Sequence, residues 1–206
     1  MNDRIEKLIH VFLIKLFAHS IIQSFYHYTM KQNYNSYTHA DHDVWRLLFE
    51  RQMQKLPSIA SEAYLGGIEK TGFVADHIPD FENETNPHLQ ALTGWSVVVV
   101  DGLVPIKEFF ELLACKKFPA SNWLRKIEQL DYLEEPDMFH DTFGHVPLLT
   151  NQAFCDFLAE FSKISLKYIH DEDAIKLLQK LYWFTVEFGL IKENNQLKLY
   201  GGGIIS

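Results

Sequence analysis

At 206 residues and a formal charge of -8, with 47% hydrophobic and 14% aromatic residues, the chain can build one sizeable core, which excludes a disordered segment. No run of Lys or Arg is long enough for a nucleic-acid or anionic-membrane footprint, so the acidic balance speaks mainly to solubility. Cys115 and Cys155 are too few and too far apart for a disulfide framework or a thiolate metal site, so a reducing cytoplasm is expected and any metal falls to His and carboxylate.

Residues 1–29 carry Ile5, Leu8, Ile9, Phe12, Leu13, Leu16 and Phe17 at helical spacing. Lys15 and Lys31 leave only 15 residues between them, His19, Gln23 and His27 among them, short of the roughly 20 apolar residues a membrane span needs. Lys15 also breaks the apolar run of a secretory signal. The stretch reads as an extension ahead of a start at Met30, or as a peripheral amphipathic helix. Residues 30–206 read as one domain.

From Thr38, with Asp41 three residues on, a capped helix is expected that buries Val44, Trp45, Leu48 and Phe49 and stops at Pro57. His39, Asp41, His42 and Asp43 fall in its first turn, where acids suit the helix dipole, and are read as structural. A helix over 58–71 closes at Gly72 and a short one over 86–93 at Gly94, with loop between them at Ile78-Pro79-Asp80 and over 83–86. Trp95 to Val100 is β-branched and bounded by Gly94 and Asp101-Gly102, a short buried strand. Pro105 suits the first position of a helix over 106–118. Helices are expected over 151–168 and 171–190, then a hairpin over 191–200 turning at Asn194-Asn195. The chain ends on Gly201-Gly202-Gly203-Ile204-Ile205-Ser206, an apolar glycine-rich stretch that calls for packing partners beyond it, so a domain truncated at its C-terminus is expected.

The chemistry concentrates between Glu134 and Leu149, where His140, His145, Asp137 and Asp141 stand among aromatic and apolar residues between Pro136 and Pro147. Buried there, they would be costly without a partner. His140 and His145 are five apart, about 140° on a regular α-helix, so they face one ion only if the backbone departs from that geometry. Gly144 and Pro147 make room for such a departure. Glu187, in the aromatic run Tyr182-Trp183-Phe184-Thr185-Val186-Glu187-Phe188, is a carboxylate that also needs a partner. Two imidazoles and one carboxylate make up the facial triad of non-haem Fe(II) sites. Spacing leaves zinc open, and leaves open whether Glu187 meets the histidines. Asp137, three residues before His140, is a candidate acceptor for that imidazole.

The runs Asp131-Tyr132-Leu133-Glu134-Glu135-Pro136-Asp137, Phe139-His140-Asp141, Phe143-Gly144-His145-Val146-Pro147-Leu148, Tyr182 to Leu190 and Tyr200-Gly201-Gly202-Gly203 resemble the pterin-dependent aromatic amino acid hydroxylases, in the family's order. Asp41-His42-Asp43-Val44-Trp45, and Gly94-Trp95 through Gly102-Leu103-Val104-Pro105, extend the likeness over about residues 35–206. It is strongest to bacterial members acting on phenylalanine.

The resemblance implies a mainly α, single helical catalytic domain with a few short strands, holding Fe(II) through His140, His145 and Glu187. It implies a tetrahydropterin site at Gly102, Leu103, Val104 and Phe109, with Asp141 and Tyr182 on the cofactor's side of the iron. It implies a substrate site at Arg125, Tyr132 and Trp183, in which Arg125 pairs with the amino acid carboxylate. The implied reaction uses O₂ and the pterin to hydroxylate the ring of a free aromatic amino acid, most simply phenylalanine to tyrosine. Tyrosine or tryptophan hydroxylation and an inactive truncated remnant are the alternatives, and a zinc hydrolase is a distant one. A monomer is expected, with no nucleic-acid or membrane partner. Gly201-Gly202-Gly203 stands where the family usually reads Gly-Ala-Gly, which adds backbone freedom.

Overall fold

The computed structural model describes residues 29–131 and 133–206. The reading of residues 1–28 therefore lies outside the described residues, as does Tyr132. The architecture is mainly helical, with two small sheets.

Strand β1 (Thr29–Met30) pairs antiparallel with β2 (Ser96–Val100), and β2 pairs in parallel with β3 (Lys117–Ser121). Helix α1 (His39–Met53) starts on a capping box: the Thr38 side chain accepts from Asp41 N, and Asp41 Oδ2 accepts from Thr38 N at 2.8 Å. Its apolar stripe buries Val44, Trp45, Leu48 and Phe49, as the spacing predicts.

The helix expected over 58–71 is broken. A short turn α2 (Leu56–Ile59) gives way at Ala60, whose strand-like backbone bridges Leu199, before Ser61 caps α3 (Glu62–Thr71). Gly72 closes α3 with a left-handed φ of 72°.

Phe81–Thr85, expected in part as loop, forms a π-helical turn because the Asp80 side chain accepts from Glu82 N and Asn83 N. It runs straight into α4 (Asn86–Leu92). Helix α5 (Ile106–Ala114) stops well short of the expected 118, and Lys116 turns the chain at a φ of 58°. Residues 117–121 then become a strand instead. Parallel pairing with β2 needs a crossover, which α5 supplies. Pro119 is tolerated because β3 is an edge strand.

Helix α6 (Gln152–Lys167) packs along α5. The helix expected over 171–190 is regular only in α7 (Glu172–Tyr182), after which Trp183–Glu187 makes another π turn. Strands β4 (Leu190–Glu193) and β5 (Gln196–Leu199) form the expected hairpin, with Asn194 and Asn195 both at positive φ. A last turn, α8 (Gly202–Ile205), lies against the segment His140–His145.

The core is aromatic where it supports that segment. Phe139 and Phe143 stack at 4.7 Å, Trp45 meets Phe139 edge-on at 5.2 Å, and Phe49 meets Phe143 at 5.3 Å. Such pairs contribute about 0.5–1.5 kcal/mol each beyond their burial. The Tyr64 hydroxyl donates to Phe143 O at 2.6 Å, so the irregular backbone there keeps its carbonyl satisfied. Among the described residues no helix is long and apolar enough to cross a membrane.

Candidate metal centre

His140–His145 is a π-helical turn. Its wider turn brings residues five apart back to one side, which removes the 140° conflict of a regular helix. Trp183–Glu187 turns the same way and carries Glu187 to meet it. One ligand atom from each of His140, His145 and Glu187 lies within 4.8 Å of the others. His145 Nε2 is 3.3 Å from Glu187 Oε1, His140 Nε2 is 3.6 Å from Glu187 Oε2, and the two Nε2 atoms are 3.4 Å apart. An ion bound at about 2.1 Å holds neighbouring ligand atoms about 3–3.5 Å apart, so the spacing fits a single metal.

The glycines at the chain's end permit this meeting. A Cβ at Gly201 would lie 2.4 Å from Glu187 O, and one at Gly202 would lie 2.4 Å from the His145 ring. The freedom expected of this triplet is thus needed as space, here for the ring and for the Glu187 backbone.

Two of the three ligands are shifted toward the form that binds a metal. Burial, helped by the charge of His145, lowers His140 to about 4 and keeps its imidazole neutral. For Glu187, burial alone raises the carboxyl, but the charge and hydrogen bond of His145, with His140, outweigh it and hold the group below its ordinary value. For His145 burial lowers the imidazole, but the charge and hydrogen bond of Glu187, with Asp141, outweigh it and raise the group. The cluster therefore presents an ionised carboxylate and a neutral His140 imidazole, and a metal binding there would displace the proton that Glu187 favours on His145.

Asp137 is placed differently from expectation. It does not reach the His140 imidazole. Its Oδ1 accepts from His140 N at 3.1 Å, and its carboxylate forms a two-pronged pair with Arg125, Nε to Oδ2 at 2.8 Å and Nη2 to Oδ1 at 2.9 Å. The reason is that a fully buried carboxylate requires the nearest cation, and the guanidinium fork matches both its oxygens.

The partner of the His140 ring is Ser206, whose Oγ lies 2.8 Å from Nδ1. The Ser206 hydroxyl donates its one proton to Gly202 O at 2.9 Å, so it accepts from Nδ1–H and leaves the Nε2 lone pair facing the cluster. Position gave no signal for this.

Two cavities adjoin one another here, and the candidate ligands His140 and Glu187 line the second. One, of about 160 Å³, is lined by Gly102, Leu103, Val104, Phe109 and Asp141, which gathers the residues expected at a pterin, and also by Ser121 and Trp123. Tyr182 does not line it but packs edge-on against Phe109 at 5.3 Å. Asp141 is pushed up to about 6 by burial, against the pull of Ser121, whose N and Oγ donate to Oδ2 at 2.7 and 2.5 Å. Ser121, at the end of β3, and Trp123, just past it, carry no signal in the sequence, because the expected helix to 118 covers the start of that strand.

The second cavity, of about 480 Å³, is lined by Arg125, His140, Trp183, Glu187, Phe188 and Ser206, and shares Glu135 and Pro136 with the first. Arg125 and Trp183, expected at the substrate, both face it. Tyr132 lies outside the described residues.

Residues 14–206 match the family described as biopterin-dependent aromatic amino acid hydroxylase. The phenylalanine-4-hydroxylase of Ralstonia nicotianae is 47% identical over 179 residues, covering 87% of this chain and 56% of that protein. The crystal structure of Chromobacterium violaceum phenylalanine hydroxylase with bound iron(III) and oxidised 7,8-dihydrobiopterin has a TM-score of 0.83 at 46% identity, over 86% of this chain and 64% of that one. Its iron- and phenylalanine-bound form has a TM-score of 0.80 at 43% identity, over 86% and 63%. The chain thus spans less than two thirds of these relatives' length.

Proposed function

The chain belongs to the biopterin-dependent aromatic amino acid hydroxylases, and from that premise we propose that it is an iron- and tetrahydropterin-dependent monooxygenase making tyrosine from free phenylalanine. The observation that carries the reading is the convergence of His140, His145 and Glu187, two of which line a cavity that adjoins a second one holding Phe109 and Asp141. The relatives from Ralstonia nicotianae and Chromobacterium violaceum bear the name phenylalanine-4-hydroxylase, which favours phenylalanine over tyrosine or tryptophan.

His140, His145 and Glu187 would hold the metal, and three protein ligands leave coordination positions open. Bound there, Fe(II) would supply the redox chemistry by which the pterin and O₂ become a ring-hydroxylating oxidant. The chain's own residues position the partners. Phe109 offers a stacking face for a flat heterocycle, and Gly102, at a φ of 69° with open space where a Cβ would stand, lets the ring approach backbone. Asp141, steadied by Ser121, presents a carboxyl to the same cavity.

In the larger cavity Arg125 keeps Nε and Nη2 on Asp137, and a guanidinium has five donors, so others remain for the substrate carboxylate. Trp183 and the ring of His140 would border the aromatic side chain. Leu133, Pro136 and Phe188 give that cavity an apolar side for the ring, while Arg125, Asp131, Glu134 and Glu135 make the rest of its wall charged. The reading includes a monomer in the reducing cytoplasm, which the two free thiols suit.

The test is to load the protein with Fe(II) under argon and assay phenylalanine, tyrosine and tryptophan side by side with tetrahydropterin and O₂. Tyrosine formed from phenylalanine with hydroxypterin as co-product is expected. An iron-replete protein that makes no tyrosine overturns the reading, and preferential turnover of tryptophan or tyrosine moves the substrate within the family.

A further inference from the structure

We propose that Phe118 is the positioning residue for His145, setting the plane of that imidazole by packing where His140 is set by a hydrogen bond. The inference rests on the metal-site reading above.

The two histidines are held by different means. His140 has Ser206 at its far nitrogen. His145 is only 4% exposed, and among the described residues no hydrogen bond is made at its Nδ1, while its Nε2 faces Glu187 and His140. The torsion that turns an imidazole about its own bond is broad and roughly two-fold, so without a restraint the ring swings freely. A ligand that swings takes its lone pair off the ion, which is why metal-bound histidines usually have a partner at the other nitrogen.

Phe118 supplies the restraint. Its ring packs against that of His145 in a tilted arrangement, centroids 5.3 Å apart and planes 33° from parallel. Gly202 bounds the same imidazole, leaving no room for a Cβ beside Nδ1, Cε1 and Nε2. Phe118 is itself held firmly. It is 3% exposed, it sits opposite Val97 in the parallel register of β2 and β3, and the same strand is pinned at its far end by Ser121 on Asp141. A one-residue slip of β3 would turn Phe118 to the other face, so the register of the sheet is transmitted to the histidine.

The test is a Co(II) titration of the full chain followed by visible absorption, which reports ligand geometry without turnover. Phe118→Ala is expected to weaken Co(II) about tenfold, the low end for loss of a group orienting a metal ligand, and to move the d–d bands. Phe118→Leu, which fills part of the space, should fall between, and decides the matter alone if the alanine variant does not fold. Phe81→Leu alters a phenylalanine equally buried but remote from the ligands, and should lower Tm without changing Co(II) affinity or spectrum. Phe118 variants that lose Tm yet keep the parent's affinity and bands would make the residue merely structural and overturn the inference. A parent protein that binds no Co(II) would instead remove the metal-site reading, and this inference with it.

Discussion

A single oxygen at Ser206 decides which nitrogen of His140 carries its proton. Ser206→Ala removes the acceptor at Nδ1 and allows the other tautomer, whose Nε2–H would point at the ion. Metal affinity should fall about 10–100-fold, as for other partners of metal-bound histidines. A Co(II) or Fe(II) titration checks this, and an unchanged affinity would show that packing alone orients the ring. Tm should change little by comparison, since the hydroxyl's own hydrogen bond contributes only about 1 kcal/mol.

Helix α3 offers a paired test at the scale of an element. A Cβ at Gly67 would lie 2.2 Å from Pro147 O, whereas nothing stands within 4 Å of one at Gly66. Alanine gains about 1 kcal/mol over glycine in a helix interior. Gly66→Ala should therefore raise Tm, and Gly67→Ala should lower it, because forcing a methyl onto a backbone carbonyl costs about 1–3 kcal/mol or more. Equal shifts in the two melts would contradict the close contact between α3 and the turn after His145.

Helix α1 is joined to the 74–85 segment by a titratable bond, in which Ile78 N donates to His42 Nδ1 at 3.1 Å. Burial, with the charges of His77 and His39, lowers His42 against the opposite pull of Asp41 and Asp43. A histidine with its folded value below the unfolded one contributes stability that is complete above about pH 6.5 and is lost as pH falls through the folded value. Between pH 7 and pH 5 the parent should lose more Tm than His42→Asn, whose side-chain oxygen accepts from Ile78 N without titrating. Parallel pH profiles would refute the assignment.

For the whole molecule, the ligands come from two π turns distant in sequence and are closed in by the last turn of the chain. An ion that bridges them binds only the folded state, so it adds stability by mass action, about 2.7 kcal/mol at one hundred times its Kd. Anaerobic Fe(II), or Co(II), should raise Tm and a chelator should reverse it. In Glu187→Ala the shift should vanish, and a Tm that still responds to metal there would place the ion elsewhere.

Read from residue types and spacing alone, the chain declares the capped start of α1, the Asn194-Asn195 hairpin and three side chains that each need a partner; the mainly helical class and the meeting of His140, His145 and Glu187 come from the family resemblance. The chain also declares that the helix must deform between His140 and His145, because 3.6 residues per turn cannot serve two ligands five apart. These are local matters, set by periodicity, capping and the cost of burying charge. Tertiary contacts decided the rest. Lys117–Ser121 is a strand because β2 offers it a partner, whatever its local preference. Asp137 serves Arg125 because both are buried together, and Ser206 reaches His140 because Gly201, Gly202 and Gly203 let the chain pass against Glu187 and His145. No spacing in the sequence encodes a contact between residues 140 and 206; only the packed backbone brings that hydroxyl to that nitrogen.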